Sequence, residues 1–127
     1  MIQFRVEGEA VPYTRMTQGQ VKLMRIPDSR LDASAVKVKE KIRRYLRWKD
    51  WVYVHSGPFK FDRSPKTKTY LNVYVYFSNK KHADPENVRK GIQDALFNQD
   101  KLVAGSVDFG YDPEKPRCEI EIIEEAV

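Results

Sequence analysis

Three acids and a lysine, gathered in a short stretch, are the residues here best suited to do chemistry. Asp84 and Glu86 open a helix candidate, Asp100 lies in the short loop after it, and Lys90 stands four residues past Glu86 on the same helix face. Carboxylates are hard oxygen ligands, and Mg²⁺ (with Mn²⁺ close behind) is typically bound by one or two of them while keeping several waters. A divalent ion so held can activate water and stabilise charge on a phosphate, the two needs of phosphodiester cleavage. Lys90 could then meet the phosphate or offset its developing negative charge. Each residue also has an ordinary role. Asp84 is a good N-cap, Glu86 suits the helix dipole, Glu86–Lys90 would make a surface ion pair, and Asp100 would be a turn residue. Spacing alone leaves both readings open.

Other chemistries find less support. His55 and His82 are the only histidines and Cys118 the only cysteine, so there is no zinc site on paired cysteines and no internal disulfide. His82, two residues before Asp84, is either a phosphate contact or polar surface. No serine or cysteine has a nearby His–Asp context for a nucleophile, and both Gly-rich phosphate loops are absent. Trp48 and Trp51 flank Lys49 and could stack on bases, although packing in a core or a dimer is the simpler role.

Charge points toward a polyanionic partner. The chain of 127 residues carries a net charge of +5. From Arg15 to Lys90 there are 19 Lys and Arg against 7 Asp and Glu; from Gly91 to Val127 there are 3 against 9. Basic residues interleaved with aromatics are the footprint of a nucleic-acid surface, and Lys80, Lys81 and Lys90 are candidate contacts, while Arg15 in its Pro-containing loop is either a backbone contact or a solvated loop arginine. A solvated basic helix is the plainer alternative. No apolar run approaches the roughly 20 residues of a membrane span, and the N-terminus lacks a secretory signal. A reduced, cytoplasmic setting follows as an expectation.

The elements that must position these residues read as one small α+β domain over 1–127. Ile2 to Val6 alternates as a half-buried strand. Residues 8–30, rich in Gly, Pro and polar side chains, read as a long loop with room for a hairpin. Residues 33–48 form a helix with an apolar stripe of Ala35, Val38, Ile42 and Tyr45 and a basic stripe of Lys37, Lys41 and Arg44. Thr69 to Phe77 alternates strictly and is the clearest strand. Asp84-Pro85 then starts a second helix carrying Val88, Ile92, Ala95 and Leu96, which should stop near 97–98. A strand over 102–109, a turn over 112–116 and a strand over 117–124 complete a β-α-β-α-β-β order. The expected fold is a mixed or antiparallel sheet packed on two helices.

The stretch from Lys80 to Val103 resembles the core signature of the RusA family of Holliday-junction resolvases. That signature runs D-x-D-N-x-x-K, continues as a helix ending D-A-L, and is followed by a loop with a further Asp. The matching residues are Asp84, Glu86, Asn87 and Lys90, then Asp94-Ala95-Leu96, then Asp100. The resemblance covers about a fifth of the chain. It implies that Asp84, Glu86 and Asp100 hold Mg²⁺, that Lys90 assists catalysis, and that Asn87 lies at the DNA. It further implies a homodimer whose two sites nick a four-way junction symmetrically, in a bacterial or phage-encoded recombination or repair role. Two departures stand out: Glu86 replaces the usual Asp, and the loop carrying Asp100 is short, with Asp108 as the fallback acid. The alternative is a DNA-binding accessory protein without catalysis, from a phage or mobile element.

Overall fold

A computed structural model describes residues 1–57, 67–97 and 103–126. Five strands form a single mixed sheet. They are β1 (Ile2–Glu7), β2 (Thr67–Phe77), β3 (Val103–Ala104), β4 (Val107–Tyr111) and β5 (Arg117–Ala126). The order is β1-β5-β2-β3, with β4 also beside β2. β5 runs antiparallel to both β1 and β2, whereas β3 and β4 run parallel to β2. Among the described residues the helices are α1 (Gln18–Met24), α2 (Ala33–His55) and α3 (Pro85–Leu96), with a 3₁₀ turn at Asp28–Arg30. The expected α+β class and mixed sheet are what the chain adopts. None of the described helices is long and apolar enough to cross a membrane.

The alternation seen in the sequence becomes a one-sided sheet. Leu71, Val73, Val75 and Phe77 of β2 face inward, in register with Ile122, Ile120 and Cys118 of β5. Val88, Ile92 and Leu96 of α3 and Trp48 and Val52 of α2 pack onto that layer. Tyr70, Asn72, Tyr74 and Tyr76 occupy the opposite, half-exposed face. Burial holds the Cys118 thiol up at about 12, well above a free thiol.

Three expectations are corrected. Residues 8–30 contain no hairpin; they hold α1 and the 3₁₀ turn instead. Thr17 and Gln20 form a reciprocal capping box that starts α1, each side chain bonding the other's backbone N–H. α2 runs on to His55, because its buried stripe continues through Trp48 and Val52. Finally, that stripe contains Lys39, only 2 % exposed, whereas Val38 faces solvent. The Lys39 ammonium bonds Ile26 O at 2.6 Å and Asp28 at 2.7 Å, so its charge is paired where it is buried.

The expected strand over 102–109 is split at Gly105-Ser106. Gly105 has φ of 131°, and a Cβ there would overlap Leu71 O. Asn72 Oδ1 accepts from Ser106 N, and the Arg89 guanidinium donates to Leu71 O and Ala104 O at 3.1 and 2.8 Å. Arg89, a surface cation by composition, is thus a strap from α3 to the β2–β3 edge.

Candidate functional site

The link from β2 to α3 delivers the first two acids. Asp84 has extended backbone geometry, and its Oδ1 accepts the Glu86 N–H at 3.0 Å; Pro85 follows as the first helical residue. Asp84 and Glu86 are both exposed and adjacent, and neither has an ion-pair partner among the described residues. Lys80 and Lys81 are exposed in the preceding link, which turns where Lys81 N donates to Asn79 Oδ1. The site is therefore two exposed carboxylates and two exposed cations at a helix start, none of them in an ion pair among the described residues.

His82 is neither a free surface group nor aimed at solvent. Its ring stacks on Phe77 at 4.0 Å with an interplanar angle of 14°. Nδ1 lies 2.7 Å from Ala83 O, so that nitrogen carries the proton, and Nε2 lies 3.2 Å from the Tyr111 hydroxyl. These contacts anchor the link one residue ahead of Asp84.

Lys90 projects from α3 one turn beyond Glu86, yet its ammonium sits 4.6 Å over the Tyr13 ring. Tyr13 is held by its own N–H, which donates to Asn87 O at 2.9 Å, and by an edge-on contact with Tyr45. Gly91 permits this approach: a Cβ there would press within 3.2 Å of the Tyr45 ring and 3.4 Å of Tyr13 N. The N-terminal segment thereby lies along α3, and Arg15 comes to the same cleft as Lys90. Asn87, a candidate DNA contact, is exposed, and its carbonyl holds this segment.

That cleft, about 590 Å³, lies between residues 13–16, α2 and α3. At one wall Asp94 Oδ2 accepts the Tyr45 hydroxyl at 2.7 Å and pairs with Lys49 at 3.0 Å. Burial and the neighbouring Asp94 charge push the Tyr45 hydroxyl far above its usual range, so it stays a donor. Sequence reasoning noted Lys49 only as the neighbour of two tryptophans and missed its part here. The signal available was its spacing from Tyr45, i to i+4 on one helix face. Trp48 is core, and Trp51, 47 % exposed, donates its indole N–H to Glu7 O.

Asp100 lies outside the described residues. Phe97 closes α3, and Val103 pairs with Thr69 at the start of β2, so both flank the end of α3 opposite Asp84. The 12 residues of α3 span about 18 Å at 1.5 Å per residue. Asp108 is exposed on β4 in register with Tyr74, on the sheet face away from the helices, where it borders a cleft with Arg5, Glu119 and Glu121. It does not join Asp84 and Glu86. Among the described residues no group of three metal-binding side chains forms. As a donor set, the two exposed carboxylates fit a hydrated Mg²⁺ or Mn²⁺, which needs only one or two protein oxygens.

Comparison with family models, with curated proteins and with solved structures finds no match to this chain.

Proposed function

We propose that this chain is a metal-dependent endonuclease acting on branched DNA, as its resemblance to the RusA family suggests. The observation that carries the proposal is the pair of exposed carboxylates, Asp84 and Glu86, without ion-pair partners among the described residues, with Lys90 one helical turn past Glu86 and with Lys80 and Lys81 in the preceding link. Asp84 and Glu86 would hold the ion, and a bound ion would supply an activated water and offset charge on the phosphate. Lys90, stabilised over Tyr13, would present its ammonium to the phosphate. Lys80, Lys81, Arg15 and the exposed Lys37, Lys41, Arg44 and Arg47 of α2 would neutralise the flanking backbone. A homodimer would set two such sites on a symmetric junction. A cytoplasmic setting, in a bacterium or a phage-infected cell, belongs to the same proposal.

One observation favours a second reading, a DNA-binding protein without catalysis. Among the described residues no three metal-binding side chains come together, and Asp108 faces away from Asp84 and Glu86. The test is incubation of the protein with labelled four-way junction, linear duplex and single strand, with and without Mg²⁺ or Mn²⁺. Symmetric metal-dependent nicks support the enzyme. Intact junctions under tight binding leave the accessory protein.

A further inference from the structure

We infer that the cleft between residues 13–16, α2 and α3 receives one unpaired nucleotide of a nucleic-acid strand. Its polar side carries Arg15, Lys49 and Lys90 against a single carboxylate, Asp94, leaving a net positive charge of two. Asp94 is already engaged through Oδ2 by Tyr45 and Lys49, so Arg15 and Lys90 keep their charges for an incoming anion. Lys49 is only 29 % exposed and Asp94 17 %, so that pair is recessed, whereas Arg15 and Lys90 are exposed and open to an incoming anion. The apolar side is Met16 and Leu46, with the Tyr13 ring beneath Lys90. Leu46, on the exposed side of α2, is 37 % exposed with an apolar surface turned to the opening.

A cleft of about 590 Å³ matches the usual volume of sites for molecules of nucleotide size, roughly 300–1,000 Å³. Cations facing an apolar wall match a nucleotide's two halves: a phosphate on one side and a flat base on the other. Single strands are bound in this way, by a positive groove with surfaces on which bases lie. A base paired within a duplex is stacked on both faces and cannot enter. The occupant is therefore an unpaired nucleotide, as found at a branch, gap or strand end. The inference rests on the nuclease proposal only for the strand's origin; the cleft's chemistry stands without cleavage.

The test is equilibrium binding of tetrathymidylate, and of an abasic tetramer with the same phosphates, in EDTA so that no cleavage occurs. Tyr13 and Tyr45 ring resonances are followed by NMR. Tetrathymidylate is expected to shift both rings and to bind about tenfold more tightly than the abasic tetramer, as one base contact supplies. Arg15→Gln and Lys49→Gln are each expected to weaken tetrathymidylate several-fold with unchanged thermal unfolding. Equal affinity for the abasic tetramer overturns the proposal in favour of bare phosphate attraction. Full affinity in both variants, or ring resonances that do not move, also overturns it. Junction cleavage is scored separately. Its loss with tetrathymidylate binding intact removes only the nuclease proposal, and intact cleavage without cleft binding removes only this one.

Discussion

The Lys90 ammonium lies 4.6 Å above the Tyr13 ring, with Glu86 one helical turn away and in no ion pair among the described residues. A Glu–Lys spacing of four would ordinarily give a surface ion pair worth about 0–1 kcal/mol. Here the ring takes the cation instead, and Glu86 keeps its charge. The contact also ties α3 to the N-terminal segment whose Arg15 borders the cleft.

Lys90→Ala is expected to cost only about 0.5–1 kcal/mol of stability, the usual worth of an exposed cation–π contact. Its single-turnover nicking rate should fall by roughly 10²–10³, the cost of removing a positioned electrostatic group. Lys90→Arg keeps charge and ring contact, yet should recover little rate, because a planar fork does not replace a compact ammonium. A rate within threefold of wild type would return Lys90 to a purely structural role.

Asp84→Asn separates capping from chemistry. Asn caps a helix about as well as Asp, so thermal unfolding should stay nearly unchanged. Cleavage should drop to background, while junction affinity holds or tightens because negative charge near phosphate is gone. Glu86→Asp should retain cleavage in Mg²⁺, since it keeps a carboxylate at that position. Loss of folding in Asp84→Asn, seen by circular dichroism, would show that the carboxylate charge serves the helix start rather than cleavage.

How much of this was legible varies with the physical cause. The alternation of 69–77 and 117–124 was readable because one sheet face is buried and the other is not. Asp84-Pro85 was readable because capping and ring geometry are local. Lys39 was not: its burial depends on Asp28, eleven residues upstream, folding back to meet it. α1 could have been found from Thr17 and Gln20, whose capping-box spacing is itself a sequence signature. In the candidate site, Asp84, Glu86 and Lys90 were placed by helix periodicity. Tyr13, Arg15 and Lys49 meet Lys90 only through the docking of one segment against two helices, which no local pattern records.

The Lys39–Asp28 pair gives a stability prediction with a pH sign. The Arg43 and Lys39 hydrogen bonds hold the Asp28 carboxyl down at about 2, below its ordinary value of 3.8. A depressed carboxyl contributes stability that is full above the unfolded value and is lost as pH falls through the folded one. The contribution should therefore be intact at pH 5 and gone near pH 2. Asp28→Asn should lower the melting temperature at pH 7, because it leaves Lys39 buried with only Ile26 O. Adding Lys39→Met should recover part of that loss. A double variant less stable than Asp28→Asn would show that the lysine does not depend on its partner.

Asp100 and Asp108 decide whether the two carboxylates at the start of α3 are joined by a third. Asp108 is on the far face of the sheet, beside Tyr74 and away from α3, so its charge cannot reach an ion at Asp84 without refolding β4. Asp108→Asn should leave nicking within about threefold of wild type, since exposed ion-free carboxylates contribute little to distant chemistry. Asp100 lies outside the described residues. If it acts as the RusA resemblance implies, Asp100→Asn should abolish Mg²⁺-dependent cleavage with binding and unfolding unchanged. Rates measured at rising Mg²⁺ and Mn²⁺ then discriminate. A lost ligand shifts the metal requirement upward, as weaker coordination demands more ion, whereas a turn residue leaves that titration where it was. An Asp100→Asn enzyme with unaltered rate and unaltered metal titration would mean that Asp84 and Glu86 act without it. The site would then be a two-carboxylate centre completed by water and phosphate oxygens.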